Sequence, residues 1–139
     1  MATTQLLSIR IARETAARLE QQSDAGERSS LAKRYIEEGL RMDRHPGIVF
    51  RSGPAGRRPA LEGGPDVWEI VRVVRNTPET GEASIAAAAD WFRFPARKIE
   101  TAVRYYADHR DEVDAWIDRI DREAAEAEEA WRRRRAALA

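Results

Sequence analysis

The chain has 139 residues, with 24 Lys+Arg, 24 Asp+Glu and no cysteine. This length sets a prior of one ordinary domain or two small ones and leaves little room for a large enzyme around a deep cleft, and the balanced charge gives no whole-chain warrant for a polyanion binder. Disulfides and thiol chemistry are excluded. No run approaches the roughly 18 apolar residues of a membrane span, and the Arg- and Ala-rich start lacks the apolar core of a secretory signal, so a cytoplasmic protein without a membrane partner is expected.

The charge is unevenly spread: residues 1–46 hold 8 basic and 7 acidic side chains, 47–76 hold 5 and 3, 77–109 hold 4 and 5, and 110–139 hold 7 and 9. Any nucleic-acid footprint is therefore local. The two histidines, His45 and His109, lie in different segments with no carboxylate or thiol at metal-ligand spacing. Glycines 47, 53, 56, 63 and 64 are interrupted by Pro54, Pro59 and Pro65 and precede no Gly-Lys-Ser/Thr, which makes them turn glycines rather than a phosphate loop. No catalytic residue, metal site or cofactor is expected, and the chain reads as a non-enzyme.

In chain order, the first element is a strand over 6–11: Leu7, Ile9 and Ile11 share one face, and Leu6, Ser8 and Arg10 the other. The next strand candidate is some 35 residues away, and a lone strand leaves its backbone groups unpaired, so the economical partner is the same strand of a second copy across a twofold axis. From Arg13 the period becomes helical, with Ala12, Ala16 and Leu19 on one stripe. This helix stops in Gln21 to Gly26, where Gly26 suits a left-handed terminus. Ser29 or Ser30 can cap a second helix carrying Leu31, Ala32, Tyr35, Ile36, Gly39 and Leu40, which His45-Pro46 brings to an end.

Strand, helix, the turn Gly26-Glu27-Arg28-Ser29-Ser30-Leu31 and a helix ending in Glu38-Gly39-Leu40 together resemble a ribbon-helix-helix domain of the Arc, MetJ and CopG type. The resemblance implies an intertwined homodimer that binds double-stranded operator DNA. The outward ribbon residues Leu6, Ser8 and Arg10 would face base edges, and Ser29 and Ser30 at the start of the second helix would anchor a phosphate. Leu6 departs from the usual polar residue and offers only an apolar contact such as a thymine methyl. Taken singly, Arg10 on a strand is most often a solvated residue, and Ser29 is adequately explained as an ordinary cap.

Residues 46–66 hold two short runs, Gly47 to Arg51 and Arg57 to Leu61, joined by Ser52-Gly53-Pro54-Ala55-Gly56, which predicts a hairpin. Three helices follow: Val67 to Arg75, Glu82 to Phe92, and Pro95 to Ala107 with Pro95 in its first turn. Only Arg93-Phe94 separates the last two, a join compatible with helix-turn-helix geometry. Trp68, Trp91, Phe92 and Tyr106 read as the core of this small domain. If its last helix enters a groove, Arg97, Lys98 and Arg104 are the contact candidates; an ordinary solvated face is the competing reading.

The runs His45-Pro46-Gly47-Ile48-Val49-Phe50, Ala55-Gly56-Arg57-Arg58-Pro59, Val67-Trp68-Glu69-Ile70-Val71 and Ala102-Val103-Arg104-Tyr105-Tyr106-Ala107 are similar to the bacterial family known as domain of unknown function 433. That resemblance, over 45 to about 114, implies an antitoxin-type domain beside a PIN-like toxin. Phe94 departs from it, standing where a small capping residue usually starts the last helix.

Beyond it, Val113, Ile117, Ile120, Ala124, Ala127 and Trp131 alternate at spacings of four and three, a heptad seam widened by Trp116 and closed by Arg132-Arg133-Arg134-Arg135. Trp and Arg are favoured at interface hot spots, which makes Trp116, Ile117, Ile120, Trp131 and Arg132, Arg133, Arg134 and Arg135 partner-binding candidates. Packing on its own domain, or pairing as a coiled coil, is the structural alternative.

The expected fold is mainly α with a short N-terminal β-ribbon strand and a β-hairpin. A dimeric ribbon-helix-helix domain is expected over 1–44, a hairpin plus helix-turn-helix-like antitoxin domain over 45–110, and a long C-terminal amphipathic helix over 111–139. The expected function is that of a type II antitoxin that represses its own operon and neutralises a PIN-like ribonuclease toxin. Two alternatives stay open: a stand-alone transcription regulator without a toxin, and a dimeric interaction adaptor that touches no DNA.

Overall fold

A computed structural model describes residues 3–24 and 26–139. Among them are six helices and one two-stranded antiparallel sheet, and the chain divides into two compact units, Met1–Leu40 and Arg41–Ala139. The divisions expected at 44/45 and 110/111 are thus displaced. The first falls inside the second helix, and the second disappears because the start of the last helix is part of the second unit's core.

In the first unit, residues 3–12 carry no strand. A strand is defined by ladder hydrogen bonds, and among the described residues nothing is in place to supply them. Helix α1 (Arg13–Gln22) buries no side chain; Ala16 and Leu19 are half-covered. It ends on Ser23, whose hydroxyl donates to the Leu19 carbonyl at 2.9 Å, and not on Gly26. Gly26 does take a positive φ of 84°, but within the turn closed by the Glu27 N–H on the Asp24 carbonyl. Helix α2 (Arg28–Arg44) starts earlier than expected, so Ser29 and Ser30 lie within its first turn instead of capping it.

The second unit is built on a hairpin, β1 (Ile48–Gly53) and β2 (Gly56–Leu61), in register Ile48↔Leu61 through Gly53↔Gly56. Its turn is the two-residue Pro54-Ala55, tighter than expected, and Gly56 supplies the positive φ of 118° that closes it. Four helices follow: α3 (Val67–Asn76), α4 (Glu82–Phe92), α5 (Ala96–Asp108) and α6 (Arg110–Ala137). α3 packs against β2, α4, α5 and α6, and its amphipathic pattern places Val67, Ile70 and Val71 at the centre. Ile48, Leu61, Ala88, Ile99, Ala102, Tyr105, Val113 and Ile117 complete the core.

The joins are short. Arg93 ends α4 in the left-handed conformation, φ 57°, the single positive φ among the described non-glycine residues. Pro95 is the N-cap of α5 and not a residue of its first turn. Phe94 between them is half-buried and lies over Gly64, where an added Cβ would come within 3.1 Å of its ring. A bulky residue is accommodated at this join because Gly64 has no side chain. His109 alone separates α5 from α6.

Asp66, just before α3, is buried and shares one carboxylate oxygen between Arg58 Nε and the Trp68 indole N–H, the latter at 3.0 Å. Its own N–H donates to Glu69 Oε2 at 2.8 Å, one half of a capping box. Asp66 therefore ties β2, the start of α3 and Trp68 together. Asp66→Ala is expected to cost about 3 kcal/mol in urea denaturation, because it strands a largely covered guanidinium and an indole donor. Arg132→Ala, on an exposed i,i+4 pair, should stay within about 0.5 kcal/mol.

Candidate nucleic-acid and partner surfaces

Leu6, Ser8 and Arg10 are all exposed, as are Leu7, Ile9 and Ile11 between them; Leu7 is 68 % and Ile9 64 % accessible. Tyr35, Ile36 and Leu40 on α2 are exposed as well, and Leu31 is the one buried hydrophobic side chain among the described residues of this unit. So much bare aliphatic surface on about forty residues leaves this unit little core of its own. Ser29 and Ser30 are exposed in the first turn of α2, where backbone N–H groups lack helical acceptors and favour an anion.

On α5, Arg97 is exposed, Lys98 sits over the Phe94 ring at 5.4 Å, and Arg104 pairs with Glu100 at 3.4 Å. Arg97, Glu100, Arg104 and Asp108 recur at helical spacing on one face, so the two arginines share a surface of mixed sign. This is a weaker electrostatic footprint than that of a groove-binding helix.

The tail candidates separate into two groups. Ile117 is 5 % exposed in the core, which removes it as a partner contact. Trp116 packs beside the hairpin turn, with the Arg119 guanidinium 4.3 Å over its ring; Arg119 also donates to the Ala55 carbonyl. Ile120 is half-buried at the point where α6 leaves the core. Every residue from Asp121 onward is exposed, including Trp131 at 53 % and Arg132 to Arg135. Two of these arginines are held along the helix, Arg132 on Glu128 at 2.8 Å and Arg133 on Glu129 at 3.0 Å. Trp91, expected in the core, is 74 % exposed beside a shallow groove lined by Val73, Thr77, Pro78 and Ala87. The pattern Ala86–Trp91 is apolar almost all round, so periodicity alone could not tell its outer face.

A polar cluster not foreseen in the sequence joins the end of α2 to the α5–α6 corner. Arg41 donates to the Tyr105 hydroxyl at 2.8 Å and to Glu112 at 2.6 Å; His45 and His109 both lie against the Tyr105 ring, at 5.3 and 4.5 Å between centroids. His45 Nε2 is 3.0 Å from Asp108 Oδ2, off the line of the ring N–H, so the approach is electrostatic. Despite partial burial, the bonds to Glu112 and Tyr105 push the Arg41 pKa up. Burial and the Arg41 charge push His109 below its ordinary 6.5, and the bond from Arg44 holds Asp108 below 3.8. No group of three or more His, Asp or Glu side chains among the described residues is placed to hold a metal ion, and no helix among them is long and apolar enough to cross a membrane.

Compared with models of known protein families, with curated proteins and with solved structures, the chain matches none.

The cluster sets a pH dependence. His109 takes up a proton less readily in the folded protein than in the unfolded chain, so its contribution is complete above 6.5 and is lost as pH falls through 6.5 toward the depressed folded value. Asp108 adds a loss of the same sign below 3.8. Urea midpoints should therefore fall between pH 7.5 and 5.5, and His109→Gln should flatten that slope; an unchanged slope would remove His109 as its origin.

Proposed function

We propose that the chain is a non-enzymatic antitoxin: a homodimer that binds operator DNA through its first forty residues, represses its own operon, and neutralises a PIN-like ribonuclease through its C-terminal helix. The observation that carries this reading is the unfinished first unit. Leu7, Ile9 and Ile11 alternate with Leu6, Ser8 and Arg10, have no strand partner among the described residues, and stand before two helices on which Tyr35, Ile36 and Leu40 are exposed and Leu31 alone of the large apolar residues is buried. Pairing residues 6–11 with their copy supplies the missing hydrogen bonds and covers one aliphatic face. It leaves Ser8 and Arg10 on the opposite face, at the spacing a two-stranded ribbon presents to a major groove. The first-turn amides of α2 add a phosphate anchor. The chain's neutral total charge accords with a local DNA footprint, and the resemblance of residues 45–114 to an antitoxin-type domain supplies the toxin half of the proposal.

The exposed distal part of α6 is the surface offered to the toxin, with Trp131, over whose ring the Arg135 guanidinium lies at 4.9 Å, as an apolar anchor and the terminal arginines to meet clustered carboxylates. The second unit's core requires α6 as far as Ile117, so a cut that tests the tail must fall after Ile120.

Arg10→Ala should weaken specific operator binding by about 1 to 3 kcal/mol with little loss on random DNA, measured by titration at fixed salt. Equal loss on both would reassign Arg10 to phosphate. Ile9→Asp should abolish dimerisation and unfold the first forty residues together; a folded monomeric first unit in sedimentation would end the ribbon reading. Deleting 121–139 should leave operator shifts intact while the product of the adjacent reading frame no longer co-purifies. Full neutralisation by that truncated protein would move the toxin contact to residues 45–120.

A further inference from the structure

We infer that the distal half of α6, residues 120–138, pairs antiparallel with the same segment of a second copy. This concerns the chain without its toxin and stands on the helix alone: the stripe is the one that the antitoxin reading offers to the toxin, so the second copy holds it until the toxin takes its place. The stripe that buries Val113 and Ile117 in the core continues without a break through Ile120, Ala124, Ala127, Trp131, Arg134 and Leu138 at spacings of three and four. From Ala124 on it is bare: Trp131 is 53 % and Leu138 75 % exposed. An unpacked helix of this length is marginal in water and gains stability once that stripe is covered.

Size and charge choose the occupant and its direction. In a parallel pair each residue meets its own copy, so two thin alanine layers lie beside a Trp131–Trp131 layer, and Glu123 faces Glu128. In the antiparallel pair centred at Glu129, Trp131 fits over the partner's Ala127, Ile120 meets the partner's Leu138, and Ala124 meets the aliphatic stem of the partner's Arg134. Along one flank Asp121 comes opposite the partner's Arg135. Glu128 lies near the axis, already neutralised within its own helix by Arg132 at 2.8 Å. Each helix is acidic over 121–129 and basic over 132–135, so only the antiparallel arrangement sets unlike charges side by side at both ends.

The chain has no cysteine, so single labels can be introduced cleanly. Residues 122, 129 and 136 lie seven apart on the outer face of the seam. Nitroxide pairs in the full-length protein carrying Arg122→Cys, Glu129→Cys or Ala136→Cys should show the shortest distance at 129. Both other positions should be longer by similar amounts, because each pair is then offset by about 21 Å along the axis. Equal distances at all three positions would mean a parallel pair, and no resolved distance at 129 would mean no pair; either overturns the inference. Ala127→Trp should weaken this association about tenfold by opposing two indoles, and adding Trp131→Ala should restore it. The label distances report the tail while operator binding reports the first unit, so failure of one is distinguishable from failure of the other. If Ala127→Trp leaves the fraction of paired labels unchanged on dilution, the seam assignment is wrong.

Discussion

A tyrosine that is wholly buried must find a partner for its hydroxyl, and the second unit is arranged around that requirement at Tyr105. The ring fills the centre of the core, edge-on to Phe50 of β1 and His45 and tilted against His109, while its hydroxyl accepts from Arg41 at 2.8 Å. Arg41 in turn reaches Glu112 on α6. One side chain thus fixes the end of α2, the hairpin, α5 and the first turn of α6 relative to one another. Burial raises the cost of leaving the Tyr105 hydroxyl unpaired, while the Arg41–Glu112 bond lies nearer the surface and is worth less. The α5–α6 corner, with His109 alone between the helices, lies between Tyr105 and Glu112, both bonded to the same guanidinium.

The two ends of the chain show the opposite condition, apolar surface without a core. The first unit has aliphatic side chains at alternating and helical spacings but covers only Leu31 among them. The distal α6 carries a heptad stripe past the last residue it can pack against. Hydrophobic burial scales with area removed from water, and neither segment can remove enough by folding on itself. The second unit, by contrast, encloses a core of its own.

Charge has different consequences in the two settings. Around Asp66 and Arg41 the ions are partly or largely covered and hold elements in place, so removing one partner leaves the other stranded. On the distal α6 the pairs Arg132–Glu128 and Arg133–Glu129 are in water and contribute little to stability.

Residue periodicity by itself determined where the helices lie. The hairpin, α3, α4 and α6 fall close to the spans that apolar spacing, Gly/Pro punctuation and the Arg93-Phe94 interruption require, because those signals act within one or two turns of chain. It also determined that residues 6–11 alternate, which is a local property even where no ladder forms. Tertiary structure decided which apolar residues are inside. Ile117 and Trp131 occupy equivalent places in one heptad seam, yet Ile117 is in the core and Trp131 is in solvent, since the core beneath α6 ends near Ile120. Trp91 and Tyr105 are both aromatic residues on helices of the second unit, and only the second is buried, where α3 packs over α5. The Tyr105 cluster draws on residues 41, 45, 105, 108, 109 and 112, more than sixty positions apart at the extremes; no local pattern marks such a set, because its members are selected by the meeting of α2 with the α5–α6 corner.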